Sequence, residues 1–104
     1  MIKVSVMYPN EPGTRFDVDY YKTTHMALVK RLLEPAGLQG VGVDRGLSGV
    51  GPDDPPPYHC IGHLFFETAD AYRQAMQQHG PALRDDIPNF TDATPVRMIS
   101  EVEL

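Results

Sequence analysis

Two stretches with the spacing of amphipathic helices divide this chain, and stretches with the alternation of β-strands lie before, between and after them. The opening strand is predicted over 1–8, and further strands over 41–47, 58–66 and 96–104. The resulting order is β-α-β-β-α-β, which is the split βαβ or ferredoxin-like unit. In such a unit both helices cover one face of an antiparallel sheet, so the predicted fold class is α+β.

The first predicted helix begins after Asp17, whose carboxylate can accept hydrogen bonds from the free N–H groups of the first turn. Pro35 and Gly37 end it. Its apolar face consists of residues three or four positions apart: Val18, Tyr21, His25, Leu28 and Leu32. This face must pack against the sheet.

The second predicted helix begins after Thr68 and covers 69–79, with Ala71, Tyr72, Ala75 and Met76 on its packing face. Gly80-Pro81 is expected to interrupt it before one further turn over 82–86. Proline and glycine dominate 49–57, which indicates a long hairpin loop between the second and third strands. The segment 88–95 is predicted to be irregular.

Apolar side chains occupy both faces of the predicted strands. On the last strand Val96, Met98 and Val102 share one face. The helices can cover only one side of the sheet, and the other side is too apolar to be left in water. Two copies related by a two-fold axis can bury that side by packing sheet against sheet. We therefore expect a homodimer that forms a dimeric α+β barrel.

Length and charge narrow the classes of function. A chain of 104 residues fits one domain, 1–104. Its net charge of −5 argues against nucleic acid or an anionic membrane surface as a partner, since both attract basic proteins. No segment resembles a signal peptide or is long enough to span a bilayer. The single cysteine, Cys60, excludes an internal disulfide, and we expect a cytoplasmic location.

His25 is the strongest candidate for a functional side chain, because it lies on the apolar face of the first helix. In one interpretation it is a partly buried histidine whose nitrogen is satisfied by a carbonyl or a tyrosine hydroxyl. In the other it lies at the floor of a pocket between helix and sheet. A pKa near neutrality would there suit proton transfer to or from a bound organic molecule.

Other chemically active side chains are weaker candidates. His59 and His63 lie four residues apart on a predicted strand, roughly 13 Å, which is too far for one metal ion, so no metal site is predicted. Cys60 is interpreted as a small core residue. Asp85 and Asp86 point about 100° apart on a helical turn, although one of them could orient a histidine across the fold.

The segment 87–91 contains Asn89 and Thr91 on either side of an aromatic residue. These polar side chains are suited to lining or closing a pocket. They are equally suited to forming turns.

Taken in order, several short motifs resemble the EthD family, named for ethyl tert-butyl ether degradation, over the whole length of the chain. The motifs are Met7-Tyr8-Pro9, Phe16-Asp17, Tyr20-Tyr21, Thr24-His25, Arg45-Gly46-Leu47, Pro57-Tyr58, Gly62-His63-Leu64-Phe65-Phe66, and Asp86-Ile87-Pro88-Asn89-Phe90-Thr91 with Pro95. The resemblance implies a single EthD-like domain with ferredoxin-like protomers in a dimeric α+β barrel. It also implies that His25 is functional.

The leading hypothesis is a small cofactor-independent enzyme that acts on a hydrophobic organic compound by proton transfer, isomerisation, decarboxylation or oxygenation. His25 would be the general acid or base, Tyr8 and Tyr21 would line the site, and Asn89 and Thr91 would close it. The resemblance adds a link to ether catabolism, in gene clusters that include a cytochrome P450 system. The alternative is a non-catalytic protein that binds such a compound or supports an oxygenase. A haem-binding barrel is a third interpretation.

Overall fold

Four strands form one antiparallel sheet in a computed structural model that describes all 104 residues. Their order across the sheet is β2-β3-β1-β4. The bounds are Ile2–Pro9 for β1, Gly40–Arg45 for β2, Tyr58–Phe66 for β3 and Val96–Glu101 for β4. This order confirms the ferredoxin-like unit. Strands β2 and β4 are shorter than predicted, since β2 ends at Arg45 and β4 at Glu101.

The core lies between this sheet and the helices. On the central strand β1, Ile2, Val4 and Tyr8 are buried against the helical layer, and every second residue of β3 from Cys60 to Phe66 is buried with them. Burial raises the pKa of the Cys60 thiol to about 11, as expected for a core cysteine. No helix is long and apolar enough to cross a bilayer.

The first helical segment consists of Val18–Tyr20 (α1), a π-helical turn at Tyr21–His25, Met26–Leu33 (α2) and a short 3₁₀ turn at Glu34–Ala36. The carboxylate of Asp17 accepts a hydrogen bond of 3.0 Å from the N–H of Tyr20, so the predicted cap is present. The segment ends at Gly37, whose φ of 113° lies in the left-handed region that favours glycine.

The π turn displaces the predicted apolar face of this segment. Tyr21 and His25 are buried as expected, but the face then centres on the buried Val29 and Leu33, while the predicted Leu28 and Leu32 pack against the core only partly buried. A π turn contains one residue more than an α turn, and the extra residue rotates the following helix by about 100°. The period of an α-helix therefore predicts the buried positions correctly as far as His25. After the π turn the buried positions lie one residue later than that period predicts.

The second helix, Ala69–Asp86 (α3), is continuous, so the predicted interruption at Gly80-Pro81 is wrong. The side chain of Thr68 caps its start, accepting from the N–H of Ala71 at 3.1 Å. Pro81 removes one backbone hydrogen bond. The turns on either side are nevertheless held to the core by buried residues, among them Ala75 and Leu83, and this packing keeps the helix intact.

The face of the sheet opposite the helices is uncovered in the single chain. Val96 and Met98 are 50% and 54% exposed on β4. Their neighbours across β1 are Met7 and Ser5. The predicted hairpin loop connects β2 to β3 and is closed by hydrogen bonds within 49–54.

Candidate functional site

A cavity between the sheet and the helices contains His25, Tyr8 and Tyr21 on its lining. Its walls are mainly hydrophobic, and they include the flexible side chains of Met26 and Met76. The enclosed volume is about 40 Å³, which is room for a group of a few atoms. A larger ligand therefore requires side chains to move, and methionine adapts to such changes more readily than branched residues do.

The π turn places Tyr21 and His25 on the cavity together. Its wider ring is closed by the N–H of Met26, which donates to the carbonyl of Tyr21. The two aromatic rings stack with their centroids 5.4 Å apart and their planes inclined by 15°. Phe90 packs against the imidazole with a centroid distance of 4.7 Å. The ring of His25 is thus fixed between two aromatic neighbours.

His25 is paired with Asp86 at the end of α3. Its Nδ1 lies 2.8 Å from Oδ2 of the carboxylate, and the two side chains are only 7% and 14% exposed. The other ring nitrogen, Nε2, makes no hydrogen bond within the chain. With Nδ1 held by Asp86, Nε2 is the nitrogen available to a ligand in the cavity.

Two further donors hold the carboxylate of Asp86. The hydroxyl of Tyr20 donates to Oδ1 at 2.7 Å, and the side-chain amide of Asn89 donates to the same oxygen at 2.9 Å. Oδ2 of the carboxylate therefore bonds to the histidine. Oδ1 accepts from Tyr20 on the first helical segment and from Asn89, which follows α3. The hydrogen bonds from Tyr20 and Asn89 fix the orientation of Asp86, and with it the orientation of the His25 ring.

The protonation states follow from burial and these hydrogen bonds. Burial lowers the pKa of His25 below its ordinary value, and the hydrogen bond and charge of Asp86 oppose the change without cancelling it. Burial acts to raise the pKa of Asp86, but the bonds from Asn89, His25 and Tyr20 outweigh it and hold that pKa below its ordinary value. At neutral pH the pair is a neutral imidazole that donates Nδ1–H to a carboxylate, with the lone pair on Nε2.

Two residues predicted to close the site lie elsewhere. Asn89 is exposed and bonded to Asp86, so it contacts the partner of the histidine and not the cavity. Thr91 is buried, and its hydroxyl donates to the carbonyl of Arg15 at 2.6 Å and accepts from the N–H of Ala93 at 3.0 Å. The hydroxyl of Thr91 is thus used both as donor and as acceptor by the backbone, which makes it a turn-former.

The sequence indicates Asp86 only as one of two carboxylates that could orient a histidine, and no sequence pattern singles out Arg97. The pairing with His25 joins positions 61 residues apart. Arg97 lines the cavity from β4. The alternation of β4 places Arg97 on the face opposite Val96 and Met98, which is the face covered by the helices. Charged residues on an edge strand are nevertheless usually solvated, so this pattern alone does not predict a cavity residue.

The remaining histidines contact separate partners. His59 Nε2 lies 2.8 Å from the hydroxyl of Thr14, and its ring stacks on Phe16. His63 Nε2 lies 2.7 Å from a carboxylate oxygen of Asp44 on the uncovered face of the sheet. No group of three potential metal-binding side chains converges anywhere in the chain.

A two-layer ferredoxin-like protomer with a histidine–carboxylate pair on a cavity between its layers defines a small α+β protein with a candidate acid–base site. The EthD domain model matches residues 14–94, and the chain belongs to the EthD family. No curated protein matches it.

Solved structures agree with this assignment. An EthD-like protein from Ralstonia eutropha JMP134 is 39% identical, with 99% of this chain and 92% of that chain covered and a TM-score of 0.93. An ethyl tert-butyl ether degradation family protein from Bacillus halodurans C-125 is 22% identical, with 98% of both chains covered and a TM-score of 0.73.

A more distant structure shares the fold. SnoaB from Streptomyces nogalater, a cofactor-independent oxygenase, is 11% identical, with 99% of this chain and 93% of that chain covered and a TM-score of 0.66.

Proposed function

We propose that this protein is a small cofactor-independent enzyme that moves a proton on a hydrophobic organic compound, with His25 as its general base and acid. The observation that supports the proposal is the 2.8 Å contact between His25 and Asp86, which leaves Nε2 free on a cavity whose walls are mainly hydrophobic. A neutral imidazole oriented by a carboxylate is a common form of general base.

The proposed step begins when Nε2 takes a proton from a C–H or O–H group of the bound compound. The electron pair left on the substrate forms an enolate or a related anion, and the imidazolium is stabilised by Asp86. Return of the proton to another atom gives isomerisation. Reaction of the substrate anion with molecular oxygen gives oxygenation, in which oxygen is the oxidant and the substrate supplies the electrons.

The walls of the cavity support this chemistry. Tyr8 and Tyr21 are buried, and burial raises the pKa of Tyr8 to about 12 and that of Tyr21 further still. Their hydroxyls therefore stay protonated and can donate to an oxygen that gains charge. SnoaB, described as a cofactor-independent oxygenase, has the same fold, so the fold is compatible with such a reaction.

Hydrogen–deuterium exchange tests the proton transfer directly. Enolisable aromatic ketones such as 2-tetralone are incubated with the protein in D₂O, and deuterium incorporation is followed by mass spectrometry, with oxygen uptake recorded in parallel. His25→Gln should lower the rate by on the order of 10²–10⁴-fold. His79→Gln is the matched control, since His79 lies on α3 and does not line the cavity. Equal rates in the two variants would contradict the proposal.

The apolar cavity also favours a second candidate, a protein that binds a hydrophobic compound or supports an oxygenase without turnover. Native mass spectrometry of gently purified protein distinguishes the two when it is combined with His25→Ala. A retained organic mass that is unchanged chemically and equally bound by the variant indicates a binding protein. Loss of turnover with binding intact indicates the enzyme.

We further propose that the active form is a cytoplasmic homodimer. The uncovered sheet face carries the half-exposed Val96 and Met98, and a second copy packed on it would remove them from water. The protomer has the fold of dimeric α+β barrel proteins, and that barrel is the pattern for the proposed assembly. A reducing compartment suits the lone, buried Cys60.

A further inference from the structure

The lining of the cavity includes two positively charged side chains. Arg97 on β4 and Arg84 on α3 both line it, and neither forms an ion pair. No aspartate or glutamate lines the cavity, although the chain has a net charge of −5. The nearest carboxylate in the site, Asp86, already accepts from three side chains. The two guanidinium groups are therefore free to meet a charge brought by a ligand.

The register of the sheet explains where this charge lies. Arg97 is opposite Val6, and Val6 is opposite Gly62, so the three residues form one row on the helix-facing side of the sheet. The hydroxyl of Tyr21 lies over Gly62 at the far end of the row. Neighbouring strands are about 4.8 Å apart, so the space above Val6 lies between the phenol of Tyr21 on one side and the position of Arg97 on the other.

Three phenols surround the same space. Tyr8, Tyr21 and Tyr72 line the cavity, and the charge of Arg97 acts on all three, although burial outweighs it and raises each pKa. Each hydroxyl is consequently a neutral donor at physiological pH. Guanidinium and phenol donors on the lining of one small cavity are complementary to an oxyanion.

We propose that the substrate or ligand of this cavity is a hydrophobic carboxylic acid, bound as its carboxylate between Arg97 and the tyrosine hydroxyls, with its apolar part toward Met26, Val29 and Leu83. The volume of about 40 Å³ matches a small group of atoms such as a carboxylate, while the methionines give way for the rest. The inference rests on the proposed function only in using the same cavity, since recognition of the anion does not require His25 to react.

A pair of isosteric probes tests the charge preference. Binding of 2-naphthoate and of the neutral 2-naphthamide is measured by isothermal titration calorimetry. The intact protein should bind the carboxylate about tenfold or more tightly than the amide, as expected for hydrogen bonds to a charged group. Arg97→Gln should remove this preference while affinity for the amide stays the same, and Arg97→Lys should retain part of it.

Arg73→Gln is the matched control. Arg73 is an exposed arginine on α3 whose ion-pair contact is to Asp70 at 3.9 Å, and it does not line the cavity. Its substitution should leave both affinities unchanged. Equal affinity of the intact protein for the two probes, no binding of either at millimolar concentration, or a preference that survives Arg97→Gln would overturn the inference.

His25→Gln separates this inference from the proposed function. The variant should keep the preference for 2-naphthoate, because the anion is held at the Arg97 end of the cavity. A preserved preference together with unchanged proton exchange would reject His25 catalysis and retain carboxylate recognition. If His25→Gln loses proton exchange and the intact protein shows no preference for 2-naphthoate, carboxylate recognition would be rejected and His25 catalysis retained.

Discussion

The hydroxyl of Tyr21 rests on Gly62, so close that a Cβ atom at position 62 would overlap it. The contact joins the π turn to the centre of β3, and it leaves the neighbouring space above Val6 open as part of the cavity. A glycine in the middle of a buried strand usually weakens the strand. Here it makes room for the hydroxyl of the cavity-lining Tyr21 against the surface of the sheet.

Gly62→Ala should destabilise the protein by about 1–3 kcal/mol, because the new methyl group forces Tyr21 away from the sheet. Removing the hydroxyl with Tyr21→Phe should relieve part of this cost, so the double variant should lose less stability than the sum of the single ones. Urea denaturation measures these free energies of unfolding. Gly42→Ala is the control, since the nearest atom to its Cβ would be a side-chain atom of His63 at 3.4 Å. Equal effects at positions 62 and 42 would contradict the steric explanation.

Asp86→Ala should lower the pKa of His25 further. The substitution removes the hydrogen bond and charge that favour the imidazolium, while the burial that disfavours it remains. Titration by ¹⁵N NMR follows the pKa and also reports the tautomer, which should be Nδ1–H in the intact protein at pH 8. Asp85→Ala provides the comparison, because this adjacent carboxylate is exposed and makes no contact with the histidine. A pKa that rises in Asp86→Ala would show that the carboxylate does not act as described.

The buried His25 should make the fold less stable in mild acid. Its pKa is lower in the folded chain than the ordinary value of 6.5, so the unfolded chain binds the proton more readily. The contribution of His25 to the free energy of unfolding is fully present above about pH 6.5. It is lost as the pH falls through the lower pKa of His25 in the folded chain. Melting temperatures at pH 7.5 and pH 5 should therefore differ more for the intact protein than for His25→Gln. Identical differences in the two proteins would exclude this contribution of His25.

Met98→Glu should separate the proposed homodimer into monomers. A carboxylate on the uncovered sheet face would be buried without a partner if two copies packed there, at a cost of several kcal/mol. Light scattering after size-exclusion chromatography measures the mass. Gln77→Glu on the exposed side of α3 adds the same charge away from that face and should leave the dimer intact. A monomeric intact protein would refute the sheet-to-sheet assembly.

Much of the fold could be predicted from local spacing. The strand at Tyr58–Phe66 has the predicted bounds, and both predicted helix caps, Asp17 and Thr68, are made by the predicted side chains. These features depend on neighbours within a few residues. The continuity of α3 through Pro81 could not be predicted in this way, because contacts with distant core residues decide it.

The sequence by itself determined the order of strands and helices, and it placed Tyr21 and His25 on the face that packs against the sheet, since periodicity is encoded locally. Only the tertiary structure decided that Asp86 is the partner of His25, that Arg97 reaches the same cavity, and that Asn89 and Thr91 lie outside it. These relationships join residues far apart in the chain. They are set by the packing of α3 against the first helical segment and by the pairing of β4 with β1, which no local pattern specifies.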